Sequence, residues 1–241
     1  MRKTLFIILL LVLPLAVQGK IYAVLVGISK YEQSTNLLYC HRDAIEMYEL
    51  LGEYTTPDKI ILLTNQQAKH DSIVHYTEQL FRQAQPEDIV IFYFSGHGYE
   101  NLFFTHDKVL YFSELQKIFR QTKAKRKLIF ADACFSGSLR QEGNQAASGS
   151  SDVGNSVLLF LSSRSNQASE ESSLFKNSIF TYFLLAGLRG GADANKDRYI
   201  TAKELFNFVY PKVKEKSNGE QTPVMWGKFD KNMIILKLKS Q

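Results

Sequence analysis

Residues 89–98 read Ile-Val-Ile-Phe-Tyr-Phe-Ser-Gly-His-Gly, an apolar run that leads into a polar turn. Continuous runs of β-branched and aromatic residues are typical of strands that are buried on both faces of a sheet. Residues 128–137, Leu-Ile-Phe-Ala-Asp-Ala-Cys-Phe-Ser-Gly, have the same layout. The two stretches therefore predict two buried strands, each followed by a turn that contains glycine.

Outward from these stretches, strand patterns alternate with helical patterns. Strands are predicted at residues 21–28, 59–63, 88–94, 127–131, 156–161 and 233–238, and helices at 41–54, 70–83, 113–122, 177–188 and 201–216. Such alternation is typical of a parallel sheet with helices on both faces. We expect an α/β fold with about six strands, most of them parallel.

The N-terminus has the layout of a secretory signal peptide. Arg2 and Lys3 precede an apolar run from Leu5 to Val17, which is shorter than the roughly 20 residues that cross a membrane. We expect residues 1–19 to be cleaved and the protein to be exported to a periplasmic or extracellular location. Membrane attachment is expected only through an uncleaved signal segment.

The rest of the chain, residues 20–241, has the size and composition of a single domain. The sequence is 45% hydrophobic and 22% charged, which is enough apolar material for a full core. Residues 139–155 are small and polar and predict an exposed loop between two halves. Removal of residues 1–19 would take away Arg2 and Lys3 and lower the formal charge from +5 to +3, which is too mild to indicate a nucleic-acid partner.

A histidine and a cysteine follow the two strands described first. In open parallel sheets, ligands bind beyond the carboxyl ends of the strands, so His97 and Cys134 are expected at one edge. An imidazole beside a thiol raises the fraction of reactive thiolate. The backbone amides of Gly98 and Cys134 could stabilise an oxyanion. A single His or Cys at a strand end is usually structural, but both together indicate a catalytic dyad.

These motifs resemble those of a known peptidase superfamily. Residues 93–98 and 132–137 are similar to the His and Cys motifs of caspase-like cysteine peptidases, and most similar to those of bacterial metacaspase-like proteins. Further similarities lie at residues 22–28, 40–44, 180–182 and 221–224. The resemblance covers nearly the whole of residues 20–241 and implies the caspase-hemoglobinase fold and protein or peptide substrates.

The residue two positions before Cys134 separates this chain from true caspases. Caspases have Gln-Ala-Cys-x-Gly there, with the His about 50 residues upstream, whereas this chain has Asp132 and a separation of 37 residues. Metacaspases also have this Asp, and another at the position of Asp43. The resemblance therefore implies that Asp43 and Asp132 bind a Lys or Arg side chain. Alternatively, Asp43 only stabilises a helix N-terminus.

One further segment has the spacing of a calcium-binding loop. Asp193, Asn195, Asp197 and Glu204 stand at ligand positions of such a loop, but its sixth position, which requires Gly, is Arg198. We favour a turn and helix cap over a calcium site, and we expect no required cofactor.

The sequence contains two cysteines, and an exported protein could join them in a disulfide. The motif around Cys134 instead indicates a working thiol, which leaves Cys40 to the core. The leading hypothesis is a secreted endopeptidase that cuts after Arg or Lys through a thioester, with possible self-cleavage at Arg140. The alternatives are a peptidase of the same fold with Asp or Asn specificity, and a catalytically silent peptide-binding module.

Overall fold

The computed structural model describes residues 19–99, 101–133, 157–162, 171–172, 176–227 and 229–239. Most of the predicted signal segment, Cys134, Arg140 and the predicted loop at residues 139–155 lie outside the described residues. Within the described residues, no helix is both long and apolar enough to span a membrane.

The described chain alternates between strands and helices. The strands are β1 (Ile21–Gly27), β2 (Ile60–Thr64), β3 (Ile89–Ser95), β4 (Gly98–Tyr99), β5 (Leu102–Phe104), β6 (Val109–Tyr111), β7 (Arg126–Asp132), β8 (Val157–Leu161), β9 (Glu171–Ser172), β10 (Asn177–Ser178), β11 (Tyr199–Thr201), β12 (Val224–Trp226) and β13 (Ile234–Lys237). The helices are α1 (Cys40–Gly52), α2 (His70–Phe81), α3 (Phe112–Gln121), α4 (Ile179–Ala186) and α5 (Ala202–Lys216).

The main sheet has six strands in the order β12-β8-β7-β3-β1-β2. All neighbouring pairs are parallel except β12 with β8. The predicted α/β fold with a mostly parallel, six-stranded sheet is therefore confirmed.

The prediction for the last strand of this sheet was wrong. The apolar run near the C-terminus forms β13, which pairs with β11 in a separate two-stranded sheet. The edge strand of the main sheet is β12, which has only three residues. A segment this short carries almost no periodicity, so its pairing depends on tertiary contacts.

Both faces of the central strands are buried, which explains their continuous apolar sequences. Ile91 and Tyr93 of β3 pack in the core beneath α1, α4 and α5. Their neighbours Phe92 and Phe94 pack in the core beneath α2 and α3. Because side chains alternate between the faces of a strand, every residue of β3 is covered by a helical layer.

Gly27 lets helix α1 approach the end of β1 closely. A Cβ atom at this position would lie 2.3 Å from the carbonyl oxygen of Cys40 and 2.6 Å from Cβ of Ala44. Both atoms belong to the first turns of α1, where neither can move without a shift of the helix. The glycine thus allows Asp43, which is on the same turn, to reach the carboxyl edge of the sheet.

Gly27→Ala should destabilise the protein by roughly 1–3 kcal/mol, because α1 must move away from β1. Gly52→Ala provides a matched control in the same helix, since a Cβ there meets no atom within 4 Å. This control should be neutral or stabilising by up to about 1 kcal/mol. Urea unfolding measures both changes, and equal stability of the two variants would contradict the close approach.

Candidate active site

The register between β3 and β7 aligns the two candidate catalytic positions. Ser95, the last residue of β3, pairs with Asp132, the last residue of β7. His97 follows Ser95 by two residues, and Cys134 follows Asp132 by two residues in the sequence. Cys134 lies outside the described residues. The described strands nevertheless end side by side at the same level.

The imidazole of His97 is held by the loop that follows β1. Its Nε2 lies 2.8 Å from the backbone carbonyl oxygen of Thr35. A carbonyl only accepts hydrogen bonds, so Nε2 carries the proton and, in the neutral ring, Nδ1 is the basic nitrogen. The geometry thus selects a tautomer in which Nδ1 can accept a proton.

Tyr31, from the same loop, holds both the backbone and the ring of His97. Its hydroxyl oxygen accepts a hydrogen bond of 2.7 Å from the backbone N–H of His97. The two rings also contact each other at an angle of 41°, with their centroids 4.8 Å apart. Gly96 makes room for this contact, because a Cβ there would lie 2.5 Å from the Tyr31 hydroxyl oxygen. Gly98, a predicted oxyanion donor, lies in β4 opposite Phe103.

The two predicted substrate-binding carboxylates come together at the C-terminal ends of the central strands, the same end at which His97 lies. Asp43 is on the first turn of α1 and Asp132 ends β7, and both are buried. Ser178 bridges them, because its backbone N–H donates to Oδ1 of Asp43 over 3.1 Å and its hydroxyl donates to Oδ2 of Asp132. The Ser95 hydroxyl donates to Oδ2 of Asp43 over 2.8 Å. The pair therefore lies between β3, β7 and the start of α4.

Asp132 is also tied to the start of α4 by a short relay of hydroxyls. The Thr181 hydroxyl donates to Oδ2 of Asp132 over 2.9 Å. The hydroxyl oxygens of Thr181 and Tyr93 lie 2.6 Å apart. Because the Thr181 hydroxyl donates its proton to Asp132, the Tyr93 hydroxyl is the donor in the hydrogen bond with Thr181. The relay fixes the orientation of the carboxylate.

Burial, as the larger cause, and the neighbouring Asp132 together raise the pKa of Asp43 to about 7, while hydrogen bonds from Ser95 and Ser178 oppose the shift. Two carboxylates close together in a poorly solvated site disfavour a second negative charge. A cation placed between them would reverse this effect. The electrostatics of the pair therefore fit a site that receives a positive side chain.

The acidic groups of the candidate calcium loop accept hydrogen bonds from within the loop, although Oδ1 of Asp193 is buried with no hydrogen-bond partner among the described residues. Asp193 accepts from the backbone N–H of Arg198, and Asp197 accepts from that of Tyr199. Glu204 accepts from the N–H and the hydroxyl of Thr201, which together form a capping box at the start of α5.

The sixth position of this loop adopts the backbone conformation that glycine would favour. Arg198 has φ of +70°, and its guanidinium donates to the carbonyl of Leu238 over 3.0 Å. Asn195 accepts a hydrogen bond from the backbone of Asp197. The part of the chain that the structure describes holds no group of three or more His, Cys, Asp or Glu side chains arranged for a metal ion. The geometry fits a turn and a helix cap.

Cys40 is a buried thiol at the start of α1, which agrees with its assignment to the core. Arg140, the candidate self-cleavage position, lies outside the described residues.

The structure adds site residues that sequence reasoning missed. Thr35 acts through its backbone carbonyl, so no side-chain pattern could identify it. Tyr31 lies far from His97 in the sequence, and only the fold brings the two together. Ser178 could have been found as the N-cap of α4, but its bridge between two carboxylates depends on tertiary structure. Ser95 stood within the His motif without an assigned role.

The sequence of most of the chain matches one known protein family. A family profile described as the caspase domain matches residues 20–234. Metacaspase-1 of Candida glabrata and Metacaspase-1 of Meyerozyma guilliermondii are each 31% identical to the chain over 88 residues. The aligned region is 33% of this chain and 22% of each relative. The chain thus spans about a fifth of the length of the curated relatives it matches.

Solved structures show the same fold. A protein from Geobacter sulfurreducens has a TM-score of 0.68 at 16% identity, over 92% of this chain and 100% of the other. Caspase-1 from Spodoptera frugiperda also has a TM-score of 0.68 at 16% identity, over 93% of this chain and 92% of the other. These similarities confirm the predicted caspase-like fold.

Proposed function

Because the chain belongs to the caspase domain family, we propose that it is an exported cysteine endopeptidase that cuts peptide bonds after Arg or Lys. The observation that carries the specificity is the buried pair of Asp43 and Asp132 at the sheet edge where His97 also lies. Export rests on the layout of residues 1–19, and a periplasmic or extracellular location follows from it.

The proposed reaction uses His97 and Cys134 as base and nucleophile. Nδ1 of His97 takes the thiol proton, and the sulfur of Cys134 attacks the carbonyl carbon of the peptide bond. The backbone amides of Gly98 and Cys134 stabilise the oxyanion. His97 then returns the proton to the leaving amine, and water hydrolyses the thioester to release the acid and the free thiol. The bond of Nε2 to Thr35 keeps the ring oriented through these steps.

The carboxylate pair supports a preference for a long cationic side chain. Asp43 and Asp132 are 0% and 1% exposed, so a cationic side chain must reach below the surface to contact them. A cation there would form charge-assisted hydrogen bonds with both carboxylates. An acidic side chain would bring a further carboxylate to a site that already disfavours a second negative charge, which argues against a preference for Asp.

Four fluorogenic peptides that end in Arg, Lys, Asp or Asn before the reporter test the proposal. The wild-type protein should cleave the Arg and Lys peptides at least about 10²-fold faster than the other two, and Cys134→Ala should cleave none. Cleavage of the Asp or Asn peptide alone would favour the alternative specificity. Binding of the peptides without any cleavage would favour the silent peptide-binding module.

The same preference extends to the chain itself. Arg140 follows Cys134 by six residues, so it is a candidate for self-cleavage. Mass spectrometry of the incubated wild-type protein should detect a fragment that ends at Arg140, and this fragment should be absent from Cys134→Ala. The same measurement gives the mature N-terminus.

A further inference from the structure

A small antiparallel sheet continues the chain directly from His97. Strands β4, β5 and β6 pair in that order. Phe103 and Leu110 are fully buried, and because successive side chains point to opposite faces, their neighbours point outward. The outward residues, which we name the ledge, are Tyr99, Leu102, Phe104, Val109 and Tyr111.

The ledge is apolar and partly open to solvent. Tyr99 is 57% exposed and Tyr111 is 51% exposed, and the other three side chains are half-buried. The register places Tyr99 opposite Leu102, and Leu102 opposite Tyr111, so these three form one row. None of the five side chains carries a charge. A continuous apolar face of this kind is typical of a surface that binds other apolar side chains.

The ledge begins at the imidazole of His97. The backbone N–H of Phe104 donates to the carbonyl of His97 over 3.0 Å, so His97 continues the ladder opposite Phe104. Residues directly opposite in an antiparallel pair share a face of the sheet. Their rings meet edge to face with the centroids 6.4 Å apart. The imidazole therefore stands at the inner corner of the ledge.

The proposed reaction assigns this side to the leaving part of the substrate. His97 protonates the amine of the residue that follows the cut bond, so that residue must lie within hydrogen-bonding distance of the ring. Neighbouring strands lie about 4.8 Å apart and an extended peptide advances about 3.3 Å per residue. The ledge thus extends roughly 10 Å from His97, which is the length of about three peptide residues.

We propose that the ledge binds the substrate residues that follow the cut bond and selects large apolar or aromatic side chains there. This proposal rests on the proposed function. The carboxylate pair then binds the positive residue before the cut bond, and the ledge binds the apolar segment after the cut bond. The two contacts are separate, so each can be removed without the other.

Two internally quenched peptides test the ledge. They share one sequence up to Arg and differ only after it, with Phe-Leu in one and Ser-Asn in the other. The wild-type protein should cleave the Phe-Leu peptide with a kcat/KM about tenfold higher. In the double variant Tyr99→Thr, Leu102→Thr this ratio should fall to about two or less. Threonine keeps a high strand propensity, and both side chains are solvent-accessible, so the small sheet should still fold.

Ile234→Thr is the matched control, because it removes another exposed apolar side chain from a strand, β13, at a distant site. It should keep the tenfold ratio. If the ratio of kcat/KM between the two peptides were near one in the wild-type protein, or unchanged in the double variant, the ledge proposal would be wrong. The proposed cleavage after Arg would not be affected by this result. If the wild-type protein cleaved neither peptide nor an Arg reporter, the proposed function would fail, and the ledge proposal with it.

Discussion

His97→Ala and Cys134→Ala should each lower kcat/KM for an Arg peptide by about 10³-fold or more, and the double variant should be no slower than the worse single variant. The two groups act as one unit in the proposed reaction, so the loss of either removes most of the advantage of the other. Steady-state kinetics on the three variants measures this. A double variant that is much slower than both singles would contradict the dyad.

The rate of alkylation separates a chemical role of His97 from a structural one. In the wild-type protein the imidazole should hold the apparent pKa of the Cys134 thiol below the ordinary 8.5 or so, and in His97→Ala it should return toward that value. Cys40 is buried and should react slowly with iodoacetamide. His75→Ala, which removes an exposed histidine of α2, is the control and should keep both the activity and the thiol pKa.

Asp132→Asn and Asp43→Asn should each reduce cleavage after Arg by about 10²-fold or more, because a buried charge partner of the cation is removed. Reaction of the Cys134 thiol with iodoacetamide should remain close to that of the wild-type protein. The control is Asp88→Asn, a buried carboxylate at the opposite end of β3 that accepts backbone N–H groups of Lys20 and Gln85. It should keep the preference for Arg, even if its stability falls.

Asp43 should also couple stability to pH. Its pKa is about 7 in the folded protein because of burial and Asp132, and about 3.9 in the unfolded chain. Between these values the folded protein holds a proton that the unfolded chain has released, so stability falls as the pH rises from about 4 to 7. Asp43→Asn should then be more stable than the wild-type protein at pH 8, by roughly 2–4 kcal/mol, with a smaller gain at pH 5.

Binding of an Arg peptide should depend on the same ionisation. Measured with Cys134→Ala, the affinity should rise about tenfold from pH 6 to pH 8, because the cation binds the ionised form of Asp43. In Cys134→Ala combined with Asp43→Asn this pH dependence should be lost. A flat profile in Cys134→Ala, with an unaltered stability of Asp43→Asn at pH 8, would mean that Asp43 is already ionised well below neutral pH.

Most of the architecture could be predicted from local patterns. The apolar runs of β1, β3 and β7 and the helices between them were predicted to within a few residues, because strands buried on two faces leave an unbroken hydrophobic signal. The two-residue strand β4 and the three-residue strands β5, β6 and β12 were not predicted. Short segments carry too little periodicity to distinguish a strand from a loop.

The sequence by itself determined the α/β class, the resemblance of its motifs to those of caspase-like peptidases, and the candidate residues His97, Cys134, Asp43 and Asp132. The class and the dyad follow from patterns of neighbouring residues along the chain, whereas Asp43 and Asp132 became candidates through the resemblance. Tertiary structure alone decided the contact of Thr35 with His97, the Ser178 bridge between the two carboxylates and the raised pKa of Asp43. The contact with Thr35 uses a backbone atom that every residue has, and the Ser178 bridge and the raised pKa exist only once distant segments pack together and become buried.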